Sequence, residues 1–220
     1  IVLKYSKLER VSGIDEIEHP IFREALRANG IGPALEIVSV ADIPAGTGLG
    51  SSGSFTVGLL RALHGLKNEY VPAPQVAHEA CHIEMNVLKQ PVGVQDQYVA
   101  SLGGIICMNI DTSGNVACSP LVLSKDTQHQ LADHLLMFFT GYSRSASVLL
   151  QDQKTKTDKD DQSMIDNLHF IKELAHVIDV TSLDRLYAAW QRTLRQGIRT
   201  ATTPSIPGAL RAAFDMRAPI

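Results

Sequence analysis

Pro44-Ala45-Gly46-Thr47-Gly48-Leu49-Gly50-Ser51-Ser52-Gly53-Ser54 decides how this chain is read. An apolar, Val/Ile-rich run at 34–40 precedes it and reads as a buried strand. An amphipathic run at 55–66 follows it. A Gly/Ser-rich turn between strand and helix leaves backbone N–H groups unpaired at the positive end of the helix dipole, which suits a phosphate. Glycines at alternate positions let the main chain approach the anion without Cβ clashes. Ser51 and Ser52 add hydroxyls that cap the helix or reach a metal held by the phosphates. The stretch predicts a site for a nucleotide or another phosphorylated ligand.

Working outward, 220 residues with 45% hydrophobic content can bury a core, as one domain or two small ones. A net charge of −3, with the 20 Lys and Arg scattered along the chain, argues against a nucleic-acid partner. Cys81, Cys107 and Cys118 lack metal-like spacing and form no disulfide framework, which suits a reducing compartment. No apolar run approaches the ~18 residues of a membrane span, and no secretory signal is visible. These features give the expectation of a soluble, cytoplasmic protein with no membrane partner. The start at Ile1 and the end at Arg217-Ala218-Pro219-Ile220 suggest an internal portion of a longer product.

Ser51 or Ser52 is expected to cap a helix with Phe55, Leu59, Leu60 and Leu63 on its apolar face. Pro72-Ala73-Pro74 starts a second helix with Val76, Ala80, Ile83 and Val87 on one face. A loop at 90–95 follows, then strands at 105–110 and 116–122 joined by the turn Asp111-Thr112-Ser113-Gly114-Asn115. A strand is expected at 135–140, and helices at 146–156, 164–178 and 183–198, with Trp190 in the core. The polar stretch Ser124-Lys125-Asp126-Thr127-Gln128-His129 predicts a boundary, dividing the chain into 1–128 and a helix-rich 129–220.

Two motif readings carry little. Gly48-Leu49-Gly50-Ser51-Ser52-Gly53 fits G-x-G-x-x-G, but Glu69, near the required spacing, lies in a polar turn with no second strand before it. A P-loop is excluded, because no Gly-Lys-Ser/Thr is present. His78-Glu79-Ala80-Cys81-His82 matches H-E-x-x-H, which on a helix would offer two imidazoles to Zn²⁺ with Glu79 as base. That pattern fixes only three positions and has no extension here, although Asp96 could serve as a third ligand. The plainer reading is two solvated or capping histidines on a surface helix.

Gly93-Val94-Gln95-Asp96-Gln97, bounded by Gly103-Gly104, places an acidic residue in a Gly-bounded loop after a helix carrying Glu84. Together with the glycine loop, this resembles the GHMP kinase superfamily. The family's Pro-x-x-x-Gly-Leu-Gly-Ser-Ser-Ala pattern matches Pro44 to Gly53 except for Gly53 in place of Ala, a swap expected to be small and to keep close packing. The runs Leu3-Lys4-Tyr5-Ser6-Lys7, Ser39-Val40-Ala41-Asp42-Ile43-Pro44 and Ser54-Phe55-Thr56-Val57-Gly58-Leu59-Leu60 resemble one bacterial branch, which acts on D-glycero-D-manno-heptose 7-phosphate. Gln95-Asp96-Gln97-Tyr98 and Thr140-Gly141-Tyr142-Ser143-Arg144-Ser145-Ala146-Ser147 add to that likeness. The family's N-terminal Pro-x-Arg segment and C-terminal Gly-x-Gly-x-Gly-Gly-like loop are expected before Ile1 and after Ile220.

The resemblance implies an α+β fold of the GHMP type, with a ribosomal-S5-like N-terminal α/β half and a helix-rich C-terminal half. It implies ATP and Mg²⁺ as cofactors and a sugar phosphate as the small-molecule partner. By it, Pro44, Gly46, Thr47, Gly48, Leu49, Gly50, Ser51 and Ser52 wrap the ATP phosphates. Ser51 and Glu84 match the residues that hold Mg²⁺, and Asp96 matches the candidate base that receives the sugar hydroxyl proton. Arg144 is a candidate for binding the transferred phosphoryl or the sugar phosphate through its planar fork, with a salt bridge at a helix start as the equal alternative, and Lys4 and Lys7 are weaker candidates of that kind. Phosphoryl transfer to the anomeric hydroxyl of a heptose 7-phosphate is the expected reaction. The alternatives are another acceptor, such as galactose or fucose, and an inactive protein of the same fold that binds partners.

Overall fold

The computed structural model of the chain describes residues 1–43, 46–121, 123–133, 135–136, 155, 157 and 162–177. The chain forms two compact units, Ile1–Asp160 and Asp161–Ile220. In the second, α6 (Gln162–Val177) is the helix expected at 164–178, begun two residues earlier. The strand expected at 135–140, the helices expected at 146–156 and 183–198, and Trp190 fall wholly or almost wholly outside the described residues.

The first unit opens with a small sheet. Strand β1 (Val2–Lys4) pairs antiparallel with β2 (Leu8–Arg10) and parallel with β3 (Glu36–Val38), in the order β2-β1-β3. Between β2 and β3 runs helix α1 (Pro20–Asn29), which starts with a proline and ends on the left-handed Gly30. Its inward face, Ile21, Phe22, Ala25 and Leu26, packs with Leu3 of β1 and Val57, Leu60 and Leu63 of helix α2 (Ser51–Leu66). The run expected as a buried strand is instead a short edge strand. Its period-2 alternation leaves Glu36 and Val38 exposed and Ile37 half-buried against the core.

One buried carboxylate ties this sheet to α1. Glu9 accepts from the Tyr5 hydroxyl at 2.7 Å and from the Glu18 and His19 N–H groups at 2.7 and 3.3 Å. Burial works against its charge, yet these three donors prevail and hold the carboxyl below the usual range. Burial and the same partner push the Tyr5 hydroxyl up to about 12. A carboxyl whose pKa is lower in the folded chain adds stability above its unfolded pKa and loses it on acidification through the folded one. Thermal melts should therefore fall as the pH drops from about 5 toward 2. Glu9→Gln should cost about 1–3 kcal/mol at neutral pH and flatten that slope. An unchanged slope in the variant would contradict this account.

Helix α3 (Ala73–Cys81) follows Pro72 and continues into one wide turn, His82–Val87. Val76, Ala80 and Ile83 are buried as expected, but Val87 is exposed. The cause is backbone register. The Leu88 N–H reaches back five residues to the Ile83 carbonyl at 2.9 Å, so Leu88 takes the place facing the core. Helix α4 (Gln95–Leu102) packs on α2 and α3, and the β4–β5 hairpin (Ile106–Ile110, Val116–Pro120) packs over Ala77, Cys81 and Tyr98. The expected turn closes it: Asp111 Oδ1 accepts from the N–H groups of Ser113 and Asn115, both at 2.8 Å. The polar stretch read as a boundary holds helix α5 (Lys125–Asp133), whose entry is fixed by Ser124 Oγ accepting from the Thr127 N–H at 3.1 Å. Among the described residues, no helix is long and apolar enough to cross a membrane.

Candidate functional site

The glycine loop enters α2 through three glycines of positive φ, Gly46 (80°), Gly48 (78°) and Gly50 (70°), while Thr47 and Leu49 between them keep negative φ. Such alternation turns successive N–H groups toward one side, the concave nest that holds anions. Neither serine caps the helix. The cap is Gly50 in the left-handed conformation with no side-chain bond, because its lack of a Cβ makes that conformation accessible. The Ser54 N–H closes on the Gly50 carbonyl at 3.0 Å, and the amides of Ser51, Ser52 and Gly53 sit in the helix's unpaired first turn. A helix of 16 residues brings a full dipole to this end.

With no cap to form, the Ser52 hydroxyl donates to Glu84 Oε2 at 2.6 Å. Glu84 comes from the wide turn after α3, four residues on from buried Ala80 and seven from buried Ala77 on the same helical face, and it is 0% exposed. Gln97 Nε2 donates to its other oxygen at 3.0 Å, and Gln97 is 1% exposed. A buried carboxylate is tolerable only when paired in this way. Gln97 Oε1 is buried too and has no hydrogen-bond partner. An oxygen-only donor set beside an unsatisfied carbonyl fits a hard cation such as Mg²⁺. The serine that meets Glu84 is Ser52, while Ser51 opens the helix one residue earlier.

Asp96 lies in the first turn of α4, not in a loop as expected, because the helix begins at Gln95. It stays exposed while its neighbour Gln97 points inward. A Cβ on Gly50 would stand 3.0 Å from Asp96 Cγ and 3.2 Å from Oδ2, so the carboxylate lies directly against the loop. The N-termini of α2 and α4 and the wide turn after α3 thus bring together Gly50, Ser52, Glu84, Asp96 and Gln97. Gln97 was absent from the residues singled out in the sequence. A polar residue beside buried Tyr98, on a helix whose Ser101 also turns inward to the Ala73 carbonyl at 2.6 Å, was the available signal.

The H-E-x-x-H residues serve otherwise. His78 and His82 are exposed, and Glu79 accepts from Gln75 at 3.2 Å and pairs with His64 Nε2 at 2.7 Å. Among the described residues, no three His, Cys, Asp or Glu side chains cluster as a metal site. Lys4 is paired with Glu36, and Lys7 with Glu18 at 3.3 Å. Burial, then the Glu84 charge, push the Cys81 thiol up to about 11, so it stays protonated. Pro44 and Arg144 lie outside the described residues.

Residues 18–104 match the family described as GHMP kinases N terminal domain. A D-glycero-alpha-D-manno-heptose 7-phosphate kinase of Campylobacter jejuni subsp. jejuni serotype O:2 is 29% identical over 133 residues, 60% of this chain and 39% of the relative. The crystal structure of a D-glycero-D-manno-heptose 1-phosphate kinase from Bacteriodes thetaiotaomicron aligns with a TM-score of 0.70 at 20% identity. That alignment covers 88% of this chain and 60% of the other. The match thus spans about two fifths of the curated relative's length.

Proposed function

We propose, from the premise that residues 18–104 are a GHMP kinase N-terminal domain within an α+β GHMP fold, that this chain is part of an ATP-dependent sugar kinase. Its acceptor is a sugar phosphate, and the anomeric hydroxyl of D-glycero-D-manno-heptose 7-phosphate is the first candidate. The observation that carries this reading is the convergence of three groups at one helix end: the nest at 46–50, the Ser52–Glu84–Gln97 chain, and the Asp96 carboxylate.

The chemistry follows from the residues. Backbone N–H groups of the loop and the first turn of α2 bind phosphate oxygens, with the helix dipole behind them. Gly46, Thr47, Gly48, Leu49 and Gly50 supply the loop, and Ser51 and Ser52 the helix start. Glu84 with Ser51 or Ser52 would hold Mg²⁺, which when bound neutralises phosphate charge. Asp96 orients the acceptor hydroxyl and takes its proton as the oxygen attacks the γ-phosphorus. By the resemblance Pro44 belongs to the nucleotide-binding set, and Arg144 contributes its guanidinium to phosphate oxygens. In the expected division, residues 1–128 are the nucleotide-binding domain, and 129–220, which include Arg144, are the C-terminal domain. The protein acts in the cytoplasm, where ATP and sugar phosphates occur together.

The decisive experiment incubates the full-length protein with ATP, Mg²⁺ and a panel of sugars and sugar phosphates, and follows ADP release. Heptose 7-phosphate should give the highest kcat/KM. ADP release with galactose or fucose alone would reassign the acceptor, and none with any acceptor would sink the kinase reading.

A further inference from the structure

We infer that Gly53 is a positioning residue: by lacking a Cβ it lets the Asp96–Gln97 peptide seat directly against the first turn of α2, which sets the base and the Glu84 clamp at their working distance. The inference rests on the kinase reading for its catalytic part and on geometry alone for its contact. Gly53 is buried and has no positive φ, so backbone conformation gives no reason for glycine there. The reason is space. A Cβ at 53 would stand 2.9 Å from Asp96 Cβ and 3.2 Å from both the Asp96 carbonyl carbon and the Gln97 nitrogen. Two of these three atoms are backbone and cannot rotate away. The replacement of the family pattern's alanine by glycine is therefore not the small swap expected from the sequence: an alanine would need α4 to sit further from α2.

The displaced peptide carries both functional side chains. Asp96 lies against Gly50, and Gln97 holds Glu84 at 3.0 Å. Moving that peptide outward by a few tenths of an ångström loosens the base and the carboxylate together. Gly58, five residues on in the same helix, is exposed with nothing within 4 Å of an added Cβ, and supplies the control.

Glycine to alanine inside a helix ordinarily stabilises it. Gly58→Ala should accordingly raise Tm and leave kcat unchanged. Gly53→Ala in the full-length protein should lower kcat by about 10- to 100-fold, with KM for ATP within about threefold of wild type. Hydrogen exchange should quicken at residues 95–102 and stay unchanged in α1. The exchange experiment needs no activity, so it decides the contact even if every acceptor fails and the kinase reading falls. The inference is overturned if Gly53→Ala behaves like Gly58→Ala, or if its kcat stays within about twofold. A global fall in Tm, with exchange rising throughout α1 to α3, would overturn it as well, because a positioning role confines the change to α4.

Discussion

Asp96→Ala should lower kcat by about 10²- to 10⁴-fold while ATP binding stays nearly intact, the range typical of losing a positioned general base. Three features make it a clean test. Asp96 is exposed, so its removal leaves no buried cavity. It sits beside Gly50, within the loop assigned to the phosphates, but supplies none of that loop's N–H groups. The clamp on Glu84 belongs to the next residue, Gln97, and persists in the variant. Steady-state kinetics with nucleotide titration separate the parameters: a loss confined to kcat fits a group that acts on the acceptor. Asp96→Asn keeps shape and polarity but cannot take the proton, and should lose nearly as much. Wild-type turnover in either variant would remove Asp96 from the mechanism.

The second large effect belongs to Glu84, where fold and chemistry can be pulled apart. Glu84→Ala strips the partner from the Gln97 amide in a dry site and should cost about 1–3 kcal/mol of stability in addition to activity. Glu84→Gln is more telling. Its side-chain carbonyl can still accept from Ser52, and its amide can donate to Gln97 once the Gln97 amide group turns over, satisfying the Oε1 that now lacks a partner. Tm should then stay close to wild type. The negative charge is gone, however, and kcat should fall about 10²-fold or more, with a higher Mg²⁺ concentration needed for half-maximal rate. Circular-dichroism melts beside a Mg²⁺ titration of the rate read both. If Glu84→Gln kept its rate at low Mg²⁺, the carboxylate would be purely structural.

These outcomes rest on a site that was partly legible in the sequence. The glycine loop could be read directly, because glycines at 46, 48 and 50 meet a local requirement for positive φ. The hairpin turn was legible for the same reason, since Asp111 satisfies neighbouring N–H groups four residues away or less. What escaped was set by partners far along the chain. The serines at 51 and 52 satisfy every local rule for a helix cap, yet the Ser52 hydroxyl is drawn instead to a carboxylate 32 residues on. Gln97 reads as one more polar residue until α2 and α3 close over it. The edge position of β3 depends on β1, which pairs with it across the intervening helix α1. The register of the wide turn depends on the tertiary demand to bury Leu88 rather than Val87. Periodicity carries information about faces within one helix and none about which face a later turn presents.

The wide turn at His82–Val87 also governs which changes of length the chain can absorb. It is one residue longer than an α-helical path over the same distance, as the five-residue reach of the Leu88 N–H shows. Deleting one residue between Glu84 and Leu88 would let ordinary helix run through and keep Leu88 against the core, now four residues after Ile83. The fold should survive such a deletion, since the same leucine fills the same place. Glu84 would stay inward as well, because it precedes the lost residue and stands four residues after buried Ala80. A gene product shortened here should thus stay folded and keep its carboxylate, so a one-residue gap at this position is no sign of lost function.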